Sequence, residues 1–399
     1  MPDPLDNSFV TLGVSGSIAC HKAVDLASKL AQAGAQVDVV MTRSAASFVT
    51  PLAFRSLTHR PVVTNLFDPQ SELSMDHVAI AERAQVMVVA PATANTIARM
   101  AWGLAEDALT TTVLATRAPV IVCPAMDGHM YENAATQENI ERLRSRGITI
   151  AGPAEGYLAS GSRGLGRMVE THQILGHVRQ VLGRDGDLAG RKIVVTAGGT
   201  QEAIDPVRYI SNRSSGKMGY AIAEAARDRG AAAVIVAAPG HLPPPVGVSV
   251  LPVVTALEMR DAVAAECRDA DVLIMAAAVA DWRPEREAAQ KLKKGASRSW
   301  SVELTRSPDI LAEVQGEHLV KVGFAAETEE VESNARAKVK HKGLHLIAAN
   351  DVTAEGSGFG ADTNKVILLD REGSVEELGL MSKYEVGHQI FDRVAGMLQ

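Results

Sequence analysis

Two stretches of this chain pair glycine turns with hydroxyl or charged side chains, a combination suited to handling phosphates. The first is Gly13-Val14-Ser15-Gly16-Ser17-Ile18-Ala19. Small residues at a strand-to-helix turn expose backbone N–H groups beside a helix N-terminus, where an anion is favoured. The second is Thr196-Ala197-Gly198-Gly199-Thr200, followed by Arg208, Arg213 and Lys217 around a Ser/Gly-rich helix entrance. The first half also offers His77 in an Asp-His pair, the loop Pro91–Ala98 with Thr93, Asn95 and Thr96, and Pro124–Tyr131 with Asp127. A glycine-rich stretch, Gly156–Met168, holds Ser160, Arg163 and Arg167. It reads either as a plain connector or as a mobile flap whose arginine grips an anionic substrate. In the second half Asp281 follows an apolar strand, a position from which a carboxylate commonly meets a metal or a ribose. Lys291, Lys293 and Lys294 form a cationic run that reads equally well as a solvated face.

The elements that must hold these residues alternate. Phe9–Ser15, Gln36–Met41, Gln85–Ala90 and Pro119–Cys123 are apolar runs of strand length. Ile18–Ala33 has helical periodicity and stops at Gly34, and Glu138–Arg146 reads as a helix ending at Gly147. Around Leu182–Gly190 the pattern lapses into Gly, Asp and Arg, which places a linker at 183–190 between domains 1–182 and 191–399. A second alternating series follows, with strands over Arg191–Ala197, Ala233–Ala237, Asp271–Ala276, Val320–Phe324 and Leu344–Ala349. Its helices cover Met218–Arg229, Ala256–Arg268 and Glu329–His341. The expected fold class is α/β: two doubly wound, mostly parallel, three-layer domains. Open sheets of this kind bind ligands beyond the carboxyl ends of their strands, where the motifs above fall.

The 399 residues suit two cores, each of roughly 180–200 residues. Hydrophobic content is 46% and aromatic content only 4%, a composition suited to tightly packed parallel sheets under helices. A net charge of −7 argues against a nucleic-acid binder, whose footprint would be basic. Cys20, Cys123 and Cys267 are far apart and in no metal-ligand spacing, as expected of reduced thiols in a cytoplasmic protein. No run approaches the length of a membrane span, and the opening MPDPLDNSF reads as a short disordered leader without a signal-peptide pattern.

GVSGSIA, the Asp-His pair, PATANTIA, PAM-x-x-x-M and the glycine-rich flap together resemble the FMN-dependent cysteine decarboxylases. The resemblance implies a flavodoxin-like or Rossmann-like domain holding FMN through Gly16, Ser17, Ile18, Thr42, Thr93, Asn95 and Thr96. The flavin of that family oxidises the substrate thiol, the thioaldehyde acts as an electron sink for decarboxylation, and the flavin returns the electrons. His77 is then the catalytic base and Asp127 meets the substrate carboxylate. The flap closes with Ser160, Arg163 and Arg167. Two positions depart from the family pattern. Members that complete the reduction generally carry Asn where Asp127 stands and Cys where Ser160 stands. A hydroxyl is a weaker acid than a thiol, whose reference pKa is about 8.5. So another acid, a water or an altered route supplies the proton, or this half is slow or incomplete. Asp127 faces the substrate carboxylate unless it binds as the acid.

In the second half ISN-x-SSGKMG, AAAVADWRP, K-x-KK, SPDIL, GFAAET and AAND, in that order, resemble the bacterial, CTP-using phosphopantothenate–cysteine ligases. The resemblance implies that a carboxylate is activated as an acyl-cytidylate, with pyrophosphate leaving, and that the cysteine amine then attacks. Lys291 would stabilise charge during cytidylate formation, Asn212 would act in aminolysis, and Arg208 would sit near phosphopantothenate. The CTP pocket would comprise Ala276, Ala277, Ala278, Asp281, Lys291, Pro308, Asp309, Ile310, Phe324, Lys338 and Lys342. Asp281 would also face the Mg²⁺ or Mn²⁺ that neutralises the triphosphate.

The two resemblances in this order imply a bifunctional enzyme of coenzyme A biosynthesis, working on small molecules and on neither nucleic acid nor membrane. They also imply a homo-oligomer, a dodecamer where decarboxylase trimers and ligase dimers combine. The alternative is an active ligase fused to a flavoprotein half that stops before reduction or only binds FMN. An NAD-dependent oxidoreductase is disfavoured by the missing GxGxxG and the missing acidic residue about 20 positions beyond the turn.

Overall fold

The structure, a computed structural model, describes residues 3–66, 76–293, 300–316, 318–327, 331–351, 358 and 360–398. The chain divides into two compact units, Pro2–Leu182 and Gly183–Gln399.

In the first unit β1 (Phe9–Val14), β2 (Gln36–Met41), β3 (Val62–Val63), β4 (Val86–Ala92), β5 (Val120–Pro124) and β6 (Thr149–Ile150) form one sheet. All its pairings are parallel, in the order β3-β2-β1-β4-β5-β6. The strands are buried on both faces because successive side chains enter opposite cores. Val86, Val88 and Ala90 pack with α1 (Cys20–Gln32) and α8 (Thr171–Gly183), while Met87, Val89 and Ala92 pack on the other side. That side is covered by α4 (Ala94–Trp102), α5 (Ala108–Ala115) and α7 (Ala134–Ser145). Shorter helices are α2 (Pro51–Thr58), α3 (Asp76–Arg83) and α6 (Gly128–Glu132). The order reverses between β1 and β4, and such a switch point opens a crevice at the strands' carboxyl ends.

The second unit repeats the plan. Its larger sheet has the order β13-β12-β9-β14-β17-β18-β20-β21. The parallel strands are β9 (Lys192–Ala197), β12 (Ala232–Ala237), β13 (Ser249–Pro252), β14 (Val272–Met275), β17 (Val320–Glu327) and β18 (Leu346–Asp351). Two antiparallel strands close one edge, β20 (Val366–Asp370) and β21 (Val375–Glu377). One face packs on α9 (Lys217–Arg227) and the capped carboxyl helix α13 (Lys383–Met397), the other on α10 (Ala256–Glu266), α11 (Ile310–Glu313) and α12 (Val331–Lys342). Two short ladders stand apart from the sheet: β10 (Gln201–Asp205) with β11 (Arg208–Ser211), and β15 (Trp282–Pro284) with β16 (Leu304–Arg306). A third joins β19 (Thr363–Asn364) to β22 (Met381–Ser382).

Several local features differ from a plain alternation of strands and helices. The Gly156–Met168 stretch is an antiparallel hairpin, β7 (Ala154–Tyr157) and β8 (Arg163–Arg167), not an irregular connector. The segment 183–190 packs into the second unit: Leu188 is fully buried, and Asp187 forms an ion pair with the buried Arg229. A side chain at Gly183 would collide with the Asp228 carbonyl. Lys294 lies outside the described residues. Among the described residues no helix is long and apolar enough to cross a membrane.

Candidate active sites

The first cleft lies at the β1/β4 switch point and encloses about 930 Å³. The loops after β1, β2, β4 and β5 line it, so Gly16, Ser17, Ile18, Thr42, Thr93, Asn95, Thr96 and Asp127 converge there. A Cβ on Gly16 would lie 2.5 Å from Ser44 Cβ and 2.8 Å from the Ser44 carbonyl carbon. Glycine therefore lets the turn press against the loop after β2. Among the described residues the backbone N–H groups of Gly16, Ser17 and Ile18 donate to no protein acceptor, which leaves them for an anion. Thr93 caps α4, accepting from Thr96 N–H at 3.3 Å, so a second helix N-terminus faces the same space. These features fit an FMN phosphate.

The hairpin β7–β8 closes one side. Met126 N–H donates to the Gly166 carbonyl at 2.9 Å, and any Cβ on Gly166 would strike the Met126 carbonyl oxygen at 2.2 Å. At the hairpin tip Ser160 Oγ donates to Asp127 Oδ2 at 2.6 Å and lies 2.9 Å from Ser162 Oγ. The Ser160 hydroxyl first, and the His129 N–H next, hold the Asp127 carboxyl below its ordinary range. Asp127 is therefore ionised at neutral pH, and its tie to Ser160 disfavours the acid form considered above. Of the two flap arginines Arg167 lines the cleft, pairing with Glu170 at 3.0 Å. Arg163 points elsewhere, 3.6 Å from Glu155, and is 70% exposed. Lys22, which the motifs did not single out, also lines the cleft and donates to the Met168 carbonyl at 2.9 Å. His77 is the second residue of α3, half-buried, and is not part of this lining. Cys20 and Cys123 are buried, and desolvation raises both thiols, which keeps them protonated.

The second cleft encloses about 870 Å³ at the matching β9/β14 switch point. It gathers Asn212, Ala276, Ala277, Ala278, Asp281, Pro308, Asp309, Ile310, Phe324, Lys338 and Lys342. The loop after β14 is fastened to the first glycine turn: Ala278 N–H donates to the Gly198 carbonyl at 2.8 Å, and Ala280 N–H to Thr200 Oγ1 at 3.0 Å. Asn212 Nδ2 donates to the Val279 carbonyl at 3.1 Å. Lys342 pairs with Asp309 at 3.0 Å, whereas the Asp281 carboxylate has no protein donor among the described residues. No cluster of three metal-ligating side chains occurs among the described residues. A single available carboxylate still suits Mg²⁺, which takes one or two carboxylates plus phosphate oxygens.

Lys291 and Arg208 do not line this cleft. Arg208 sits in β11, where its guanidinium is held by Asp205, donates to the Leu292 carbonyl at 2.9 Å and stacks 4.8 Å from the Trp300 ring centre. Asp205 also accepts from Leu292 N–H at 3.1 Å, so the Lys291 segment is fastened to the β10–β11 hairpin. Lines of sequence pointed to neither Arg306 nor Lys383, and both line the cleft. Lys383 is buried at the start of α13, its Nζ donating to the carbonyls of Gly358 and Ala361. Burial pulls its pKa below the ordinary lysine range.

Comparison with known proteins finds relatives of each half and of the whole chain. A family described as "Flavoprotein" matches residues 2–183, and one described as "DNA/pantothenate metabolism flavoprotein C-terminal domain" matches residues 188–398. The chain is 46% identical over 393 residues to the coenzyme A biosynthesis bifunctional protein CoaBC of Vibrio parahaemolyticus, covering 98% of each. The chain belongs to the family of coenzyme A biosynthesis bifunctional proteins. It is 44% identical over 398 residues to the Bacillus subtilis CoaBC, again covering 98% of each. A solved carboxyl-terminal domain of CoaBC is 39% identical, covers 53% of this chain and 98% of its own, and superposes with a TM-score of 0.46.

Proposed function

We propose that the carboxyl half joins cysteine to 4′-phosphopantothenate at the expense of CTP, and that the amino half decarboxylates the product to 4′-phosphopantetheine. The observation that carries this reading is the pair of clefts, each at its own sheet's switch point and each lined by most of the residues expected there, with His77, Arg163, Lys291 and Arg208 outside.

In the carboxyl half the chain supplies a cationic cleft with one open carboxylate. Lys338 and Lys342 on α12 would face the nucleotide, Phe324 and the Ala276–Ala278 turn would wall the base and ribose, and Asp281 would hold the metal that accompanies the triphosphate. Asn212, fixed by its bond to Val279, faces the activated carboxyl during attack by the cysteine amine. In the amino half FMN, when bound, supplies the acceptor and donor of the electron pair. The chain's own task is to hold the phosphate on the Gly16–Ile18 turn, seat the substrate under the hairpin and move protons. Lys22 and Arg167, both paired with Glu170, and the Asp127 carboxylate are the charged groups it sets around the substrate there.

His77 reaches the reaction from a neighbouring copy in a homo-oligomer. Ile18, Met130 and Tyr157 line the first cleft and are 64%, 50% and 79% exposed, an apolar rim suited to cover by another subunit. Arg208 acts likewise, from the β10–β11 arm whose Val207 and Tyr209 are exposed, and Lys291 acts from the segment fastened to that arm through Leu292. Trimers of the first half and dimers of the second combine into a dodecamer. The setting is cytoplasmic, in keeping with three unpaired, buried cysteines.

Purified protein with phosphopantothenate, cysteine, CTP and Mg²⁺ tests the reading. Flavin absorbance, equal release of CMP and pyrophosphate, and CO₂ are expected. Colourless protein, or turnover without CMP, would overturn it.

A further inference from the structure

We propose that Arg306 is a further anion-binding residue of the second cleft, gripping the pyrophosphate end of the nucleotide from a platform made by Trp282. The proposal rests on the ligase reading and deepens it.

Arg306 ends β16 and pairs directly with Trp282, the first residue of β15. Its guanidinium carbon lies 5.8 Å from the centre of the indole ring, within cation–π range. Both side chains line the cleft, and both are exposed. Three other cations there already have partners, while Arg213, also in the lining, has none among the described residues. Lys342 pairs with Asp309 at 3.0 Å, Lys217 with Asp362 at 2.7 Å, and Lys383 is spent on backbone carbonyls. Among the described residues Arg306 has no carboxylate partner. An aromatic face orients a guanidinium without neutralising it, so its full charge and its planar fork remain for a ligand.

The neighbours indicate which ligand. Asp281 directly precedes Trp282, and its carbonyl accepts from Ser307 N–H at 2.9 Å. The carboxylate of Asp281, just before this strand pair, and the guanidinium of Arg306, within it, thus line one cleft with no ion pair between them among the described residues. Two opposite charges that stay apart in one cleft suit a ligand that carries both signs. A metal-bound triphosphate is such a ligand: Asp281 would hold the metal, and Arg306 would hold phosphate oxygens. In cytidylate formation a carboxylate oxygen bonds to the α-phosphorus while its bond to the oxygen bridging the β-phosphate breaks, and that oxygen's electron pair leaves with pyrophosphate. A fixed guanidinium beside that group stabilises it as it leaves. The phosphate of phosphopantothenate is the other anion in the reaction, and the test separates the two.

The full chain and its Arg306→Met, Arg306→Lys and Trp282→Leu variants are compared for CMP release, and pyrophosphate binding is measured by calorimetry. Arg306→Met is expected to raise both the KM for CTP and the Kd for pyrophosphate by roughly tenfold or more, with Arg306→Lys in between. Trp282→Leu is expected to shift the same two constants in the same direction, by less. The KM for phosphopantothenate, the flavin absorbance and the melting temperature should stay close to wild type. Unchanged CTP and pyrophosphate constants, or a change confined to phosphopantothenate, would overturn the proposal. Wild-type protein that forms no CMP would refute the ligase reading itself. Pyrophosphate binding by the variants would still decide for or against Arg306.

Discussion

At the scale of single residues, two positions set the first cleft apart. Gly16 is legible in the sequence as a turn glycine, but the reason for it is tertiary: the Ser44 backbone occupies the space a Cβ would need. Gly16→Ala is therefore expected to push the turn off the second loop and cost the protein its flavin, read as lost flavin absorbance without loss of fold. Retained flavin would show that the turn does not hold it. Asp127 and Ser160 were visible as departures from a family pattern, while the 2.6 Å bond joining them was not, because they lie 33 positions apart on separate elements. That bond bears on repair of the site. A thiol placed beside an ionised carboxylate has a raised pKa and is a poorer proton donor. Ser160→Cys alone should therefore help the reductive step less than Ser160→Cys combined with Asp127→Asn. The share of product two hydrogens lighter than phosphopantetheine measures it, and equal effects of the single and double variants would contradict the coupling.

At the scale of elements, the buried strands were legible because an apolar run between glycines has few other readings. Gln36–Met41 coincides with β2, and Arg191–Ala197 differs from β9 by one residue. The ladders β10–β11 and β15–β16 were not legible. They are short and half-exposed, and their order comes from contacts distant in sequence, above all those of Asp205. That buried carboxylate accepts from the N–H groups of Val207, Arg208 and Leu292 and from the Arg208 guanidinium. The guanidinium chiefly, and the N–H groups after it, hold it well below the usual carboxylate range. A depressed pKa contributes stability above the ordinary carboxylate value, about 4, and loses it as pH falls through the lowered one. Protection of the 201–211 amides against hydrogen exchange, taken relative to their intrinsic rates, should thus be high at neutral pH and be lost only in strong acid. Asp205→Asn should remove that protection at neutral pH too, and lower ligase turnover while leaving the flavin bound. Exchange unaffected by the variant would remove Asp205 from this role.

At the scale of the whole molecule, two doubly wound units on one chain were legible from the repeated alternation of strand and helix. The placing of 183–190 was not, since its Gly/Asp/Arg composition reads as a linker while its packing depends on Arg229. That arginine is 1% exposed and lies between Asp187 and Asp392, 2.7 Å from the latter. Its partners are more than one-third exposed, so its removal should cost less than the ~3–5 kcal/mol of a fully buried pair. Arg229→Ala should accordingly lower the Tm of the second unit and leave the flavin-binding unit near its wild-type Tm. A single transition shifted as a whole would show instead that the units melt together. On the proposed function the two clefts run separate steps in sequence. The most direct test is the mass of the product made from phosphopantothenate, cysteine and CTP by wild type and by Gly16→Ala. Wild type should give 4′-phosphopantetheine. The variant should release CMP at the wild-type rate and stop at phosphopantothenoylcysteine. A flavin-free variant that still loses CO₂, or a wild-type product that keeps its carboxylate, would contradict the account.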